Sequence, residues 1–232
     1  MLGSIISNTK NKKNKNNYIK MKLLELFSGT KSVGKVAERL GYEVTSLDLI
    51  LPADINIDIL DWDYTIYPTG YFDVIHASPP CTEYSRAKTT GVRKIDYANS
   101  IVKKTLEIMD YFQPKYYIIE NPQSGLLKEQ SFMYGIPYTD VDYCKYGMPY
   151  RKRTRLWNNV LGFTPRPLCK KDCESMDGNR HKAVAQRLPS GPRDNWENQT
   201  RHTQTDLYVI PEDLIYEIFD GMVFEDMPSS NE

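Results

Sequence analysis

The sequence predicts an α/β protein built on a doubly wound, mostly parallel sheet, with a small irregular appendage that contains Cys and His. Three observations predict it. From Met21 onward, short apolar runs alternate with stretches of helical spacing. Each apolar run ends on a polar or conformationally special residue. Beyond Trp157 the pattern gives way to a polar segment in which two cysteines and a histidine lie close in sequence.

The elements follow in order. Residues 22–27 read as a strand, residues 28–32 as a loop, and a helix then runs to about Leu40, where Gly41 stops it. Residues 43–47 form a second strand ending on Asp48, and residues 55–60 a shorter extended element. Residues 72–76 are a strand. The spacing of Ile95, Ile101, Val102, Leu106 and Met109 predicts a helix over residues 92–112, which Gln113-Pro114 ends. Residues 116–120 are a continuous apolar strand closing on Glu120, the pattern of a strand buried on both faces. Ligands of such sheets sit beyond the C-terminal strand ends. Here those ends carry Phe27-Ser28-Gly29, Asp48, Asp58, the stretch 77–81 and Glu120-Asn121-Pro122, so one shared site is expected.

The chain has 232 residues, one domain or one domain plus an appendage, with no internal repeat. No run of 18 apolar residues exists, so a membrane span is not expected. The N-terminus lacks an apolar core of signal-peptide length. Four cysteines are too few for a disulfide scaffold, so a reducing, intracellular compartment is expected, cytoplasmic or nuclear. Thirty basic and thirty acidic residues cancel, but unevenly. Residues 1–22 carry six lysines and no acid; residues 145–187 carry eleven Lys and Arg against three acids, or +8; the remainder is near −14. A basic stripe suits phosphate, and a plain solvated face fits the charge equally well. The expected organisation is a disordered basic tail (1–20), a catalytic body (21–157), a small recognition or metal-stapled segment (158–202) and a returning C-terminal helix (203–232).

Four motifs carry chemistry. In Leu24-Glu25-Leu26-Phe27-Ser28-Gly29-Thr30, a strand, a Gly loop and a helix start make a cradle for a nucleotide-like ligand. Neither a dinucleotide nor a P-loop fingerprint is present. Asp48, at the next strand end, is placed to hold a ribose diol. In Ser78-Pro79-Pro80-Cys81, two prolines stiffen the loop and aim a candidate nucleophile. In Glu120-Asn121-Pro122, desolvation lets a carboxyl keep a proton and hand it to a ring nitrogen. Arg153 and Arg155 lie two apart in a strand, so both point to one side, where paired guanidinia hold a carbonyl oxygen or phosphates. Taken singly, each motif has a plainer reading: a strand-turn-helix, a buried structural cysteine, an exposed glutamate, a solvated basic edge.

In order and placement, Phe27-Ser28-Gly29, Pro80-Cys81, Glu120-Asn121-Pro122 and Arg153-Thr154-Arg155 resemble the motif series of the cytosine-C5 DNA methyltransferases over residues 21–157. The likeness is to a small, virus- or phage-like member with a reduced recognition region. It implies a Rossmann-like fold and S-adenosylmethionine as methyl donor. It also implies a covalent mechanism. Cys81 adds to C6 of cytosine, Glu120 acts at N3, and C5 takes the methyl group after the base is flipped from the stack. Arg155 is then expected at the cytosine O2, Arg153 bracing the catalytic loop, and both favouring the Cys81 thiolate. The loop 82–93, with Ser85, Arg86, Lys88 and Arg93, is placed to close over the base. For the cofactor the resemblance implies Phe27 at the adenine, Ser28 and Gly29 at the methionine moiety, Asp48 at the ribose, Asp58 at the adenine amino group and Pro80 at the methyl centre. Residues 207–214 resemble the family's last motif.

The sequence also departs from the family. Tyr150-Arg151-Lys152 stands where the family has Gln and one residue fewer, and Thr30-Lys31-Ser32 replaces a Gly-rich continuation. The short recognition region keeps RNA open as a substrate beside DNA, and a catalytically silent nucleic-acid-binding protein is the third reading. No membrane partner is expected, and the chain is read as a monomer. Cys144, Cys169, Cys173 and His181 match a tetrahedral structural zinc site in type and number, with His202 as rival ligand and three unrelated thiols as the plainer alternative.

Overall fold

The computed structural model describes residues 20–185, 202–203 and 205–225, with side chains to residue 222. The expected tail, apart from Lys20, and residues 186–201 of the expected recognition segment lie outside the described residues. The elements are β1 (Lys22–Leu26), α1 (Ser32–Arg39), β2 (Glu43–Asp48), β3 (Ile55–Asn56), β4 (Val74–Ala77), α2 (Ile95–Phe112), β5 (Tyr116–Pro122), β6 (Tyr138–Asp142), β7 (Arg153–Asn158), β8 (Met176–Asp177), β9 (Arg180–His181) and α3 (Glu212–Glu225).

Seven strands form one sheet in the order β3-β2-β1-β4-β5-β7-β6. Strands β1 to β5 pair in parallel, and β7 runs antiparallel between β5 and β6. Chain order reverses between β1 and β4, the switch point at which a doubly wound sheet opens a crevice. This is the expected Rossmann-like, mostly parallel sheet. Two boundaries shift for local reasons. The element predicted over residues 55–60 shortens to β3 because Asp58 turns the chain: Oδ1 accepts the Leu60 amide at 3.0 Å and its carbonyl accepts Asp61 N–H at 2.9 Å. Helix α2 begins at Ile95 rather than residue 92 because Arg93 is drawn into the preceding loop.

The central strands β1, β4 and β5 bury both faces, which explains their unbroken apolar runs. One layer packs Leu23, Val74, Ile118 and Leu156 against α1 and α3. The other packs Leu24, Ile75, Ile119 and Trp157 against α2. Helix α3 follows the described residues 205–211. It lies against α1, with Tyr116 Oη donating to the Met222 carbonyl at 2.9 Å. No helix among the described residues is long and apolar enough to cross a membrane.

Helix α1 starts without a side-chain cap at its own terminus. Glu25, one strand away, substitutes: its carboxylate accepts the Val33 and Gly34 amides at 3.1 Å each. Burial, against the pull of those two bonds, holds the Glu25 pKa up to about 7. Gly34 is required by this contact, since a Cβ there would lie 2.6 Å from Glu25 Oε2.

Candidate active site

The ends of β1 and β4 lie side by side at the switch point. After β1 the chain turns with positive φ at Phe27 (58°), Gly29 (51°) and Lys31 (56°). For Phe27 and Lys31 this conformation costs about 1–2 kcal/mol each. Hydrogen bonds offset that cost: Ser28 N–H to the Leu47 carbonyl at 3.0 Å, Gly29 N–H to Asp48 Oδ2 at 2.8 Å, and Lys31 N–H to the Ser28 carbonyl at 2.7 Å. Asp48 Oδ1 accepts the Ile50 and Leu51 amides at 2.8 Å each. Asp48 therefore joins the two loops, and this tie positions its carboxylate beside Gly29. The buried hydroxyls of Ser28 and Ser78 have no hydrogen-bond partner among the described residues. Unpaired hydroxyls cost about 1–3 kcal/mol each when buried, and two of them at adjacent strand ends suit a polar ligand. Asp58, half-buried, faces Tyr97 Oη at 3.4 Å.

Pro79 and Pro80 carry the chain from β4 to Cys81, which is half-buried while Pro80 is exposed. Asn121 Nδ2 donates to the Pro79 carbonyl at 2.9 Å and fixes that turn to the end of β5. Glu120, on the neighbouring strand and 6% exposed, accepts Tyr143 Oη–H at 3.0 Å and pairs with Lys152 Nζ at 3.5 Å. Burial pushes the Cys81 thiol up, the Glu120 charge pushes it further, and Lys152 pulls it back. Cys81, Glu120 and Lys152 thus share one electrostatic environment.

Arg153 and Arg155 do point to one side, as expected, but it is the side away from Glu120. Glu120 is opposite Leu156 across the strands, so its face carries Thr154 and Leu156, while Arg155 is opposite Asn121 on the other face. Arg153 makes a two-pronged pair with the fully buried Asp142 (3.0 and 2.7 Å), and Arg155 does the same with Asp140 (2.7 and 2.9 Å). The Arg155 guanidinium also lies 3.5 Å over the Tyr138 ring. The cation that pulls the Cys81 thiol down is Lys152, on the Glu120 side of the strands. Sequence reading passed over Lys152 and Tyr143.

The loop 82–93 is tied down. Lys88 pairs with Glu83 at 2.6 Å, Arg86 with Glu129, and Arg93 donates to the carbonyls of Glu83, Ser85 and Lys88. Tyr84 is fully buried, with its hydroxyl on Asn99 at 2.8 Å. The cations expected to reach for a base are here spent within the protein.

Cys144, Cys169, Cys173 and His181 do converge: their ligand atoms all lie within 4.8 Å of one another, and Cys169 Sγ stands 3.5 Å from His181 Nε2. The rival His202 packs edge-on against Tyr150, with ring centroids 5.0 Å apart. Arg151 and Lys171 lie close enough to depress His181, after burial itself.

Comparison with known proteins adds an independent observation. The chain is 40% identical over 176 residues to a frog virus 3 (isolate Goorha) protein named "Probable DNA (cytosine-5)-methyltransferase", covering 68% of this chain and 80% of that protein. Among solved structures it is similar to an E. coli chain described as a "putative DNA modification methyltransferase encoded within prophage Cp". There the identity is 17%, the coverage 64% of this chain and 52% of that one, and the TM-score 0.48, a likeness too loose to carry an argument. No family model matches the chain.

Proposed function

The chain belongs to the DNA (cytosine-5)-methyltransferases, and from that premise we propose that it transfers a methyl group from S-adenosylmethionine to C5 of cytosine in DNA. The observation that carries this reading is the sharing of one environment by Cys81, Glu120 and Lys152, next to the cradle between β1 and β4.

S-adenosylmethionine, when bound, supplies an electrophilic methyl group. Its fit rests on the turn at residues 27–31, the two unpaired serine hydroxyls and Asp48. Phe27, Ser28, Gly29, Asp48, Asp58 and Pro80 are the residues assigned to hold it. Asp48 and Asp58 keep part of their acceptor capacity after their backbone bonds. The chain's own groups perform the remaining steps. Cys81 Sγ, as thiolate, forms a bond to cytosine C6, with Lys152 as the nearby cation that favours the charged sulfur. Glu120 holds or donates a proton at N3, so the electron pair displaced from the C5–C6 bond makes C5 nucleophilic. C5 takes the methyl group, loses its proton to a base, and the C6–S bond breaks to free Cys81. The base must leave the stack for any of this to occur. Arg153 and Arg155 act in this reading as braces of β7, and one structural zinc ion occupies the Cys144, Cys169, Cys173 and His181 cluster. The enzyme works as a monomer in whichever compartment holds the DNA.

Tritiated methyl transfer from S-adenosylmethionine to DNA, and separately to RNA, tests the reading. Wild-type protein labels DNA at C5, as mapped by bisulfite sequencing, and Cys81→Ser loses at least about 1,000-fold of the rate. Label in RNA alone replaces the substrate, label in neither replaces the enzyme with a binding protein, and full activity of Cys81→Ser removes the covalent mechanism.

A further inference from the structure

Three consecutive residues join the Cys/His cluster to the catalytic carboxyl. Asp142 ends β6, fully buried, and accepts the Cys169 amide at 2.9 Å while holding Arg153. Tyr143 follows, fully buried, with its hydroxyl on Glu120 at 3.0 Å. Cys144 comes next and belongs to the cluster. The backbone of Tyr143 is held on both sides, its N–H donating to the Lys152 carbonyl at 3.1 Å and its carbonyl accepting Met148 N–H at 3.2 Å. Ser175 Oγ on the Met148 carbonyl at 2.6 Å, and Ala183 N–H on the Pro149 carbonyl at 3.0 Å, bind the far side of the cluster to that same turn.

The spacing suits zinc. A tetrahedral ion with Zn–S of about 2.3 Å and Zn–N of about 2.0–2.1 Å separates its S and N ligands by about 3.6 Å. Cys169 Sγ and His181 Nε2 are 3.5 Å apart. The segment also needs a cross-link. Strands β8 and β9 are two residues each, far below the length at which a hairpin holds itself. Few of its side chains are buried, Cys169 and Ala183 among them.

We infer that a zinc ion on Cys144, Cys169, Cys173 and His181 positions Tyr143 against Glu120, so that metal loading governs turnover and leaves cofactor affinity alone. Tyr143 is then a positioning residue, acting through Glu120. The inference rests on Glu120 being the catalytic carboxyl.

The test uses the full chain, purified without chelator and supplied with zinc chloride. The expected content is about one zinc per chain, falling below about 0.2 in Cys173→Ser. Chelation of the wild type, and separately Tyr143→Phe with its zinc retained, each lower kcat about tenfold or more and displace its pH profile, while the Kd for S-adenosylmethionine stays within about twofold. Re-adding zinc restores the chelated enzyme. Should Cys173→Ser fail to fold, chelation of the wild type carries the test. Wild type holding under about 0.2 zinc, or a disulfide among the three thiols, overturns the metal site. Unchanged kcat in both the chelated enzyme and Tyr143→Phe overturns the brace. A protein that methylates neither DNA nor RNA ends the functional reading and the control of turnover with it, and leaves only the brace from the cluster to Glu120 to be tested. Alkylation of Cys81, followed by peptide mapping across pH, still changes about threefold on chelation if the brace is real and stays constant if it is not.

Discussion

Arg155 shows how one residue of register decides what a side chain can touch. Side chains on a strand alternate faces, so an insertion of one residue moves every group to the other side. Tyr150-Arg151-Lys152 is one residue longer than the family pattern, and Lys152, not an arginine, stands at Glu120. The sequence did hold a sign of this: Asp140 and Asp142 share the spacing of Arg153 and Arg155 with opposite charge, as cross-strand partners do. The match to an arginine motif outweighed it. The structure predicts that Arg155 stabilises rather than reacts. Its pair with Asp140 is largely buried, side chains 12% and 19% exposed, so Arg155→Ala strands a carboxylate and costs about 2–3 kcal/mol. The double variant Arg155→Met/Asp140→Leu removes both charges, recovers most of that loss, and keeps methyl transfer within about threefold. Thermal melting and tritium transfer measure both. A double variant that melts like wild type yet loses about 100-fold of the transfer rate returns Arg155 to the substrate.

At the scale of elements, the parallel strands were the most legible part of the chain, because burial on both faces leaves no polar alternation to confuse the pattern. The strand ends followed, since Ser28, Asp48, Cys81 and Glu120 interrupt apolar runs at the same edge of the sheet. Contacts between backbones were not legible. Helix α3 crosses the turn after β7 so closely that a Cβ on Gly221 would lie 2.7 Å from Phe163 N, and one on Gly162 would lie 2.3 Å from the Gly221 carbonyl oxygen. Nothing in the spacing of Leu214, Ile215, Ile218 and Phe219 marks Gly221 as more than a weak helix position. Propensity alone favours Gly221→Ala by about 1 kcal/mol. Overpacking against backbone, which cannot rotate away as a side chain can, costs about 3 kcal/mol. The expected result is a net loss of about 2 kcal/mol, a fall of roughly 4–8 °C in Tm, whereas Asp220→Ala at the exposed neighbour stays within about 1 °C. A Gly221→Ala protein melting at or above wild type shows that the helix slides away from the turn, and α3 is then not seated as described.

The whole molecule carries a net charge of zero and still has to meet a polyanion. The basic segment read from the sequence is largely neutralised in the fold: Lys145 faces Asp172, Lys152 faces Glu120, Arg153 faces Asp142, Arg155 faces Asp140, and Arg166 faces Asp213 and Glu217. Within that segment, among the described residues, Arg151, Lys170, Lys171, Arg180 and Lys182 are exposed with no acidic side-chain partner, on or beside the Cys/His appendage; elsewhere Lys35, Lys94 and Lys103 are exposed in the same way. Affinity for phosphate is then expected from the appendage rather than from the strand that carries the arginine motif. The salt dependence of DNA binding counts such contacts, with a slope of log K against log salt of about −0.9 per phosphate neutralised. Arg151→Ala and Lys171→Ala are each expected to make the slope shallower by about 0.9 and to weaken binding equally on unrelated sequences. Asp140→Leu/Arg155→Met removes a cation that is already paired and leaves the slope alone. Fluorescence anisotropy on a labelled duplex across a salt series decides between the two. If the slope is unmoved by Arg151→Ala and Lys171→Ala but shallower in the Arg155 double variant, the DNA runs along β7 and the appendage faces solvent. If it follows the two appendage substitutions, the DNA meets the Cys/His appendage, and the exposed cations of the basic segment supply the face that a chain of zero net charge presents to it.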